Sequence, residues 1–523
     1  MTLRTQDRAL RSRLRILEAA TSLFAKRGFD ATSVRDVADE SELSVGLVCR
    51  YFPTREHLAF AIFDRLADEL SQVAVELPNG SVAERFKRLM HARFAQLEAH
   101  RRTLTALMGK ALDPQSPLYA LGDSTEGTRA RVHGAFAVLV GCAEDRPANL
   151  EDRARLSQLL YSAHLGLVVA VLAQPTDARA RQLLDTICLL LNWAKPALPV
   201  LRRLVGKGIE GVLLDRPRLP AGAAATSKEI LERLFRDNRV LPGVERGLTI
   251  ASEALHTPMI ESFVRAKEPI ELVLPAFPAK APNPRKVLGA LPDLAEQRAL
   301  ERLSEFLDSI EEVWPAGARL TICSDGHVFA DAVGVSDADV DRYRDMLLEF
   351  IDDPRIGWFD LSTALGDQSP SAQRAHLMKL HAPSEESLRE RAKNSPSFAA
   401  QVDGIHRFLF EDEVVRRPDQ TRSQSKKLTR DKAWDVVRRS EAWGSLVASV
   451  FPRAIRLSIH PQPDPSVKIG VNLLGVADPW LTPWHASAVI DRSGTRLMHR
   501  ADAEALGAKV VLDGTRPSHL ELP

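Results

Sequence analysis

Cysteine is scarce in this 523-residue chain: Cys49, Cys142, Cys188 and Cys323 lie far apart and form no C-x-x-C pair. That excludes a disulfide framework and a cysteine-built zinc site, and it fits a reducing compartment. Charge of one sign is also lacking. Seventy basic residues face 69 acidic ones, a net charge of +1, so the chain as a whole offers no attraction to nucleic acid or to an anionic membrane. A local excess stands at the start, where Arg4, Arg8, Arg11, Arg13 and Arg15 face only Asp7. The apolar run LGLVVAVLA, 165–173, falls short of the ~20 residues that span a bilayer, and the first residues carry no apolar signal core. Both point to a cytoplasmic protein without a membrane segment. Neither G-x-G-x-x-G nor G-x-x-x-x-G-K occurs, so no nucleotide cofactor is indicated. No H-x-x-x-H or H-x-D spacing suggests a compact metal site.

What is present divides the chain. A length of 523 residues exceeds one core and predicts two to four domains of about 100 to 200 residues. From Arg11 to about Asp215, apolar residues recur at three and four spacing, as in Ile16, Ala20, Leu23 and Phe24, which predicts an all-α module. Prolines, a glycine and small residues in RPRLPAGAAATS, 216–227, mark a linker. Beyond it, helical SKEILERLF and DLAEQRALERLSEFLDSIEEVW alternate with strand-like ELVLPAF, ARLTICSD, AIRLSIH, KIGVNLLG and HASAVID, the pattern of an α/β module.

Residues 16–58 allow cap chemistry to place three short helices. Ser33 caps one to about Glu40 with Asp36 completing an S-x-x-D box, Ser44 caps the next, and Thr54 caps another after Pro53. A pair of short helices joined by a tight turn buries Val34, Val37, Ala38, Leu43 and Val48 and frees the start of its second helix for a major groove. This text resembles the TetR family of bacterial transcriptional regulators over about fifty residues, with Ser41-Glu42 and Cys49 departing from its pattern. The resemblance implies DNA contacts from Ser33, Arg35, Val45, Gly46, Leu47, Arg50 and Tyr51 in a domain of residues 1–60. It implies a helical effector and dimerisation domain over 61–215, so operator DNA and a second copy are the expected partners. Apolar stripes of Leu156, Leu159, Leu160, Leu183, Leu184, Leu190 and Leu191 supply the dimer surface.

The α/β module carries four constellations. FPAKAPNPRKVLG, 277–289, is a proline-stiffened loop presenting Lys280, Asn283, Arg285 and Lys286. RLTICSDGHVFAD ends a strand at Asp325, before a glycine turn, with Asp331 six residues on. In RLSIHPQP, Arg456, Ser458 and His460 share one face at period two. WLTPWH ends in Trp484 and His485. Each alone has a structural reading, a packing tryptophan or a hydrogen-bonding histidine; together they form a set of anion binders and proton carriers.

These stretches, with TRSQSKKLTRDKAWDVVRRSEAWG, KIGVNLL and the closing GTRPSHLE, resemble the pyoverdine/dityrosine biosynthesis family, which includes bacterial isonitrile synthases, over about 228 to 522. The resemblance implies a Rossmann-like synthase domain over 228–523. It implies that the α-amine of tyrosine or tryptophan is joined to C2 of ribulose 5-phosphate and that this carbon is cut out as the isonitrile, without a cofactor. A sugar phosphate and an amino-acid carboxylate call for cations, which Lys280, Arg285, Lys286, Arg456 and Lys468 can supply. Asp325, His460 and His485 are the acid/base candidates, and Asn283, Asp331 and Trp484 are further substrate contacts. Lys280 serves electrostatically, with a Schiff base as its rival role. The alternatives are a repressor whose synthase-like module senses a ligand, and an N-formyl-tyrosine or dityrosine-type tailoring enzyme.

Overall fold

The computed structural model describes residues 3–174, 176–193, 222–366, 368–451, 453–474, 481–492 and 494–523. Its first part is helical: α1 (Leu3–Arg27), α2 (Val34–Glu40), α3 (Val45–Tyr51), α4 (Arg55–Glu76), α5 (Val82–Ala99), α6 (Arg101–Leu112), α7 (Glu126–Gly141), α8 (Leu150–Leu172) and α9 (Ala178–Trp193). One continuous core runs from Ile16 to Cys188 through all of them. The caps behave as their chemistry predicts at two of three sites. Ser33 and Asp36 form a reciprocal capping box, and Ser44 accepts from the Leu47 N–H. Thr54 holds the cap position of α4 without a cap bond, its hydroxyl facing His57 Nδ1 at 3.1 Å instead.

A domain boundary drawn at 60/61 falls inside α4, because the apolar stripe Leu58, Ala59, Ala61, Ile62, Leu66 runs across it unbroken. By length and composition Asp152–Leu172 is apolar enough to cross a membrane, yet it packs Leu156, Leu160, Tyr161, Leu167 and Val171 into the bundle core. The predicted linker differs at its end. Gly222 takes a left-handed φ of 88°, and the helix Ala223–Phe235 starts directly after it, as expected of an alanine run with the highest helix propensity. The remaining linker positions, 216–221, lie outside the described residues.

The second part is built on a five-stranded parallel sheet in the order β3-β2-β1-β4-β5, with β1 (Ile270–Leu274), β2 (Ala318–Cys323), β3 (Ile356–Phe359), β4 (Ile455–Ser458) and β5 (Lys468–Gly470). Connections run outward to β2 and β3 on one side and to β4 and β5 on the other, so the order reverses between β1 and β4. Ligands of open parallel sheets sit beyond the strand ends at such a reversal. A smaller sheet, β7-β6-β9-β8, follows, with β6 (Ser487–Asp491), β7 (Gly494–Met498), β8 (Lys509–Asp513) and β9 (Arg516–Glu521).

The two parts touch. The helix Ile250–Ala266 packs on α7, where Gly134 comes so close that a Cβ there would stand 3.1 Å from the Ala254 carbonyl oxygen. Arg391, in the helix Glu385–Asn394, pairs with Glu76 at the end of α4 and with Glu441 at 3.1 Å.

Candidate active site and DNA-contacting face

The proline loop leaves β1 under strain. Phe277 is fully buried with a φ of +56°, the left-handed region that a bulky residue enters only when its surroundings force it. Ser324 donates to its carbonyl at 3.0 Å. Gly326, opening the helix Gly326–Val333, lies so near the loop that an added Cβ would stand 2.1 Å from the Pro278 oxygen, so only glycine permits this approach.

The loop cations meet protein carboxylates. Lys280 is fully buried, with Asp293 at 2.9 Å and Glu296 at 2.8 Å, and donates to the Pro483 carbonyl at 2.9 Å. Burial works against its charge, but the two carboxylates hold its pKa above the usual lysine value. Burial in turn raises Glu296, which accepts a hydrogen bond from the Tyr343 hydroxyl. This corrects the expectation that Lys280 meets a substrate anion: its anions are Asp293 and Glu296, and the cluster ties the loop to the Thr482–His485 turn. Lys286 pairs with Asp412 at 2.8 Å and Glu411 at 3.2 Å. Asn283 donates to the same Asp412 at 2.8 Å, and Lys286 stands 4.6 Å from the Phe408 ring centre. Arg285 is exposed.

Beyond the loop stand the acid/base candidates. Asp325 holds the N-cap position of the helix that follows β2 without a side-chain cap bond, and burial pushes its pKa up to about 7. His485 packs its ring 4.5 Å from Phe408 and pairs Nδ1 with the Thr482 hydroxyl at 3.1 Å. Burial and then the charges of Lys286, His460, His499 and Lys280 hold it well below the usual histidine value. His460 opens to solvent, yet its dense surroundings and then Arg239 and Lys468 also lower it. Lys468 shares that position, and burial and then Arg456 lower its pKa. Arg456 and Lys468 are register partners across β4 and β5, and both Arg456 and Asp325 act on Cys323 at the end of β2. Lys286 and His460 thus act on His485, Lys468 on His460, and Arg456 on Lys468, a series that passes from the loop to β4 and β5, while burial and not a charged neighbour raises Asp325.

The predicted contacts Asp331, Trp484 and the exposed Arg285 stand outside this series. Asp331 points outward into ion pairs with Arg439 at 2.6 Å and Arg374 at 3.4 Å, clamping its helix to two neighbours. Trp484 is core, tilted against Phe277 at 5.1 Å. Sequence reasoning missed Asp293, Glu296, Tyr343, Phe408 and Asp412. The D-L-A-E box before a helix marks the first two; no local signal marks the others.

In the helical part, Ser33, Arg35, Val45, Gly46 and Arg50 are exposed and Leu47 and Tyr51 half-buried, while Val37, Ala38 and Val48 are buried beneath them. Glu42 occupies the turn with φ +53° and pairs with Arg15 at 2.9 Å, which offsets its charge beside the presented helix.

Comparison with known proteins agrees with this division. Residues 16–62 match the family of bacterial regulatory proteins called tetR, and residues 260–511 match the pyoverdine/dityrosine biosynthesis protein family. The chain is 38% identical over 300 residues to an L-tryptophan isonitrile synthase of Fischerella ambigua, covering 56% of this chain and 91% of that one. It is 40% identical over 278 residues to an L-tyrosine isonitrile synthase of Pseudomonas aeruginosa, covering 52% and 85%. The crystal structure of PvcA from Pseudomonas aeruginosa superposes with a TM-score of 0.54 at 37% identity, over 57% of this chain and 99% of that one. The chain belongs to the pyoverdine/dityrosine biosynthesis family and carries, ahead of that domain, a tetR-family helix-turn-helix.

Proposed function

We propose that the α/β part is an isonitrile synthase acting on the α-amine of tyrosine or tryptophan, with ribulose 5-phosphate as the carbon donor. The observation that carries the reading is the series of charges from His485 and His460 to Lys468 and Arg456 beside the β1/β4 reversal, with Asp325 following the end of β2, in a chain similar to synthases of both amino acids. The reaction asks for a neutral amine, protonation of the departing carbinol oxygen, and proton removal from sugar hydroxyls as carbon-carbon bonds break, which makes the enzyme a lyase. Asp325, protonated below about 7, is suited to the acid step. His460 and His485, held neutral by their surroundings, are suited to accept protons. Arg456 and Lys468 bind the phosphate or the carboxylate. The sheet order supports a Rossmann-like core.

The N-terminal part binds operator DNA through α3 and pairs with a second copy through the leucines of α9. Leu183 and Leu190 are exposed there, whereas Leu156, Leu160 and Leu184 are spent on the bundle's own core. A cytoplasmic location fits both roles. The test is mass spectrometry of the full chain given tyrosine or tryptophan with ribulose 5-phosphate carrying 13C at C2. An isonitrile heavier by one mass unit is expected. Absence of any isonitrile with either amino acid favours the ligand-sensing repressor, and an unlabelled isonitrile moves the carbon donor elsewhere.

A further inference from the structure

The small sheet ends in an open edge. In the order β7-β6-β9-β8, β8 pairs with β9 on one side only, and four of its five residues are exposed, the half-buried Val511 excepted. An uncovered edge strand is a template for a further strand, and proteins usually blunt it with bulges, prolines or repelling charges. Here the bulge between Val511 and Leu512 lies in the pairing with β9, away from the open edge. Exposed apolar groups stand on it: Val510 is 38% exposed and Leu512 56%.

The strand reads Lys509-Val510-Val511-Leu512-Asp513 and is self-complementary about Val511. Two copies running antiparallel around that residue set Val511 against Val511, Val510 against Leu512, and Lys509 against Asp513. Opposed residues of an antiparallel pair lie on one face, so both exposed aliphatic groups meet aliphatic groups and both charges meet their opposites. The pattern extends inward, because Lys509 lies across from Glu521 and Asp513 from Arg516 in the chain's own β8/β9 register. A two-fold seam therefore aligns Glu521, Lys509, then Asp513 and Arg516 of the second copy in one row of alternating sign. Like charges would guard the edge against a second copy; this order invites it.

We propose that β8 is an interface between two copies of this chain, joined antiparallel about Val511 into one continuous eight-stranded sheet. The surface is separate from the leucine face of α9, so a chain using both would assemble beyond a dimer, since two independent two-fold contacts continue the association.

The experiment is light scattering on the full chain and on two charge variants, Lys509→Asp and Asp513→Lys, both at exposed positions, with circular dichroism to check folding. Each variant alone sets like charges against each other at both ends of the seam. Their equimolar mixture restores opposite charges at both ends, aspartates of one chain meeting lysines of the other. At matched concentration the mean mass of each single variant should fall to half of the wild-type value or below, and the mixture should recover it. High salt should weaken that recovery, because exposed charges are screened. A wild type that stays monomeric, single variants with unchanged mass, or a mixture that fails to recover it each overturn the proposal.

Discussion

Lys280 and Lys468 stand on either side of the β1/β4 reversal and experience opposite environments. Lys280 is sealed between two carboxylates at 2.8 and 2.9 Å, and its charge is held firm. Lys468 reaches solvent and has no carboxylate at ion-pairing distance among the described residues; burial and Arg456 make its charge less secure. A cation already neutralised by the protein has little field left for a substrate, whereas one without a carboxylate at ion-pairing distance gains more from an arriving phosphate. The difference separates a lysine that ties the loop to its neighbours from one open to an arriving anion.

Removing Lys280 tests the first half of that contrast and carries the largest effect. Lys280→Met leaves Asp293 and Glu296 buried without a counter-charge, a loss worth about 3 to 5 kcal/mol in comparable buried pairs. Urea denaturation should show that loss in stability, with activity failing alongside it. A stable Lys280→Met protein that is inactive, together with a borohydride-trapped adduct on Lys280 in the wild type, would instead return the residue to chemistry.

Asp325 comes next. If it delivers the proton to the carbinol oxygen, Asp325→Asn should lower kcat by about 10²- to 10⁴-fold, the usual scale of acid-base catalysis. Its pKa is raised from an ordinary value of 3.8 to about 7 by burial. The folded protein therefore holds this proton where the unfolded chain has released it. Its contribution to stability is complete below about 4 and is lost as pH rises through about 7. The wild type should lose stability across that window and the variant should lose less. Identical stability-pH curves would show that Asp325 is more solvated than its setting implies.

Lys468→Met should behave as the mirror of Lys280→Met. Nothing buried is left unpaired, so stability should stay within about 0.5 kcal/mol, as for ordinary surface changes. A charge-assisted contact to the sugar phosphate or carboxylate is worth about 1.5 to 3 kcal/mol. That predicts a loss in kcat/KM of roughly ten- to a hundredfold, at about 1.4 kcal/mol per tenfold, partly rescued by raising ribulose 5-phosphate. Unchanged kinetics would break the comparison by leaving the anion site unassigned.

How far the sequence reaches is visible in the same pair. Period two set Arg456, Ser458 and His460 on one face, but β4 ends at Ser458, so only Arg456 and Ser458 share a strand face and His460 lies in the bend beyond it. Helices announced by caps, such as Val34–Glu40 and Val45–Tyr51, were legible because capping is local. The strands β3, β7, β8 and β9 were not: IGWF is only four residues long, and RPSHLE contains a proline that argues against a strand. The fate of Lys280 was illegible for another reason. Its loop is basic in sequence, but Asp293 and Glu296 return to it from the start of the next helix, a long-range pairing that no local pattern records.

The smallest expected effect lies where the two parts of the chain meet. Arg391 donates to Glu76 through Nε at 2.7 Å and pairs with Glu441 at 3.1 Å, and both glutamates act on Lys468. Glu76 ends the helix α4, which begins four residues after α3, so one helix reaches from the helix-turn-helix to Arg391 of the α/β part. The pair is partly open to water and Arg391 keeps Glu441, so Glu76→Gln should cost only about 0.2 to 1 kcal/mol. A double-mutant cycle with Arg391→Lys isolates that coupling. Glu76→Gln also removes a negative charge from the surroundings of Lys468, which should lower the lysine's pKa slightly further and strengthen its pull on an anion. The KM for ribulose 5-phosphate should then fall by a small factor while kcat stays unchanged. A fall in kcat instead would mean that the helical part positions the reacting groups and not merely the charge around them.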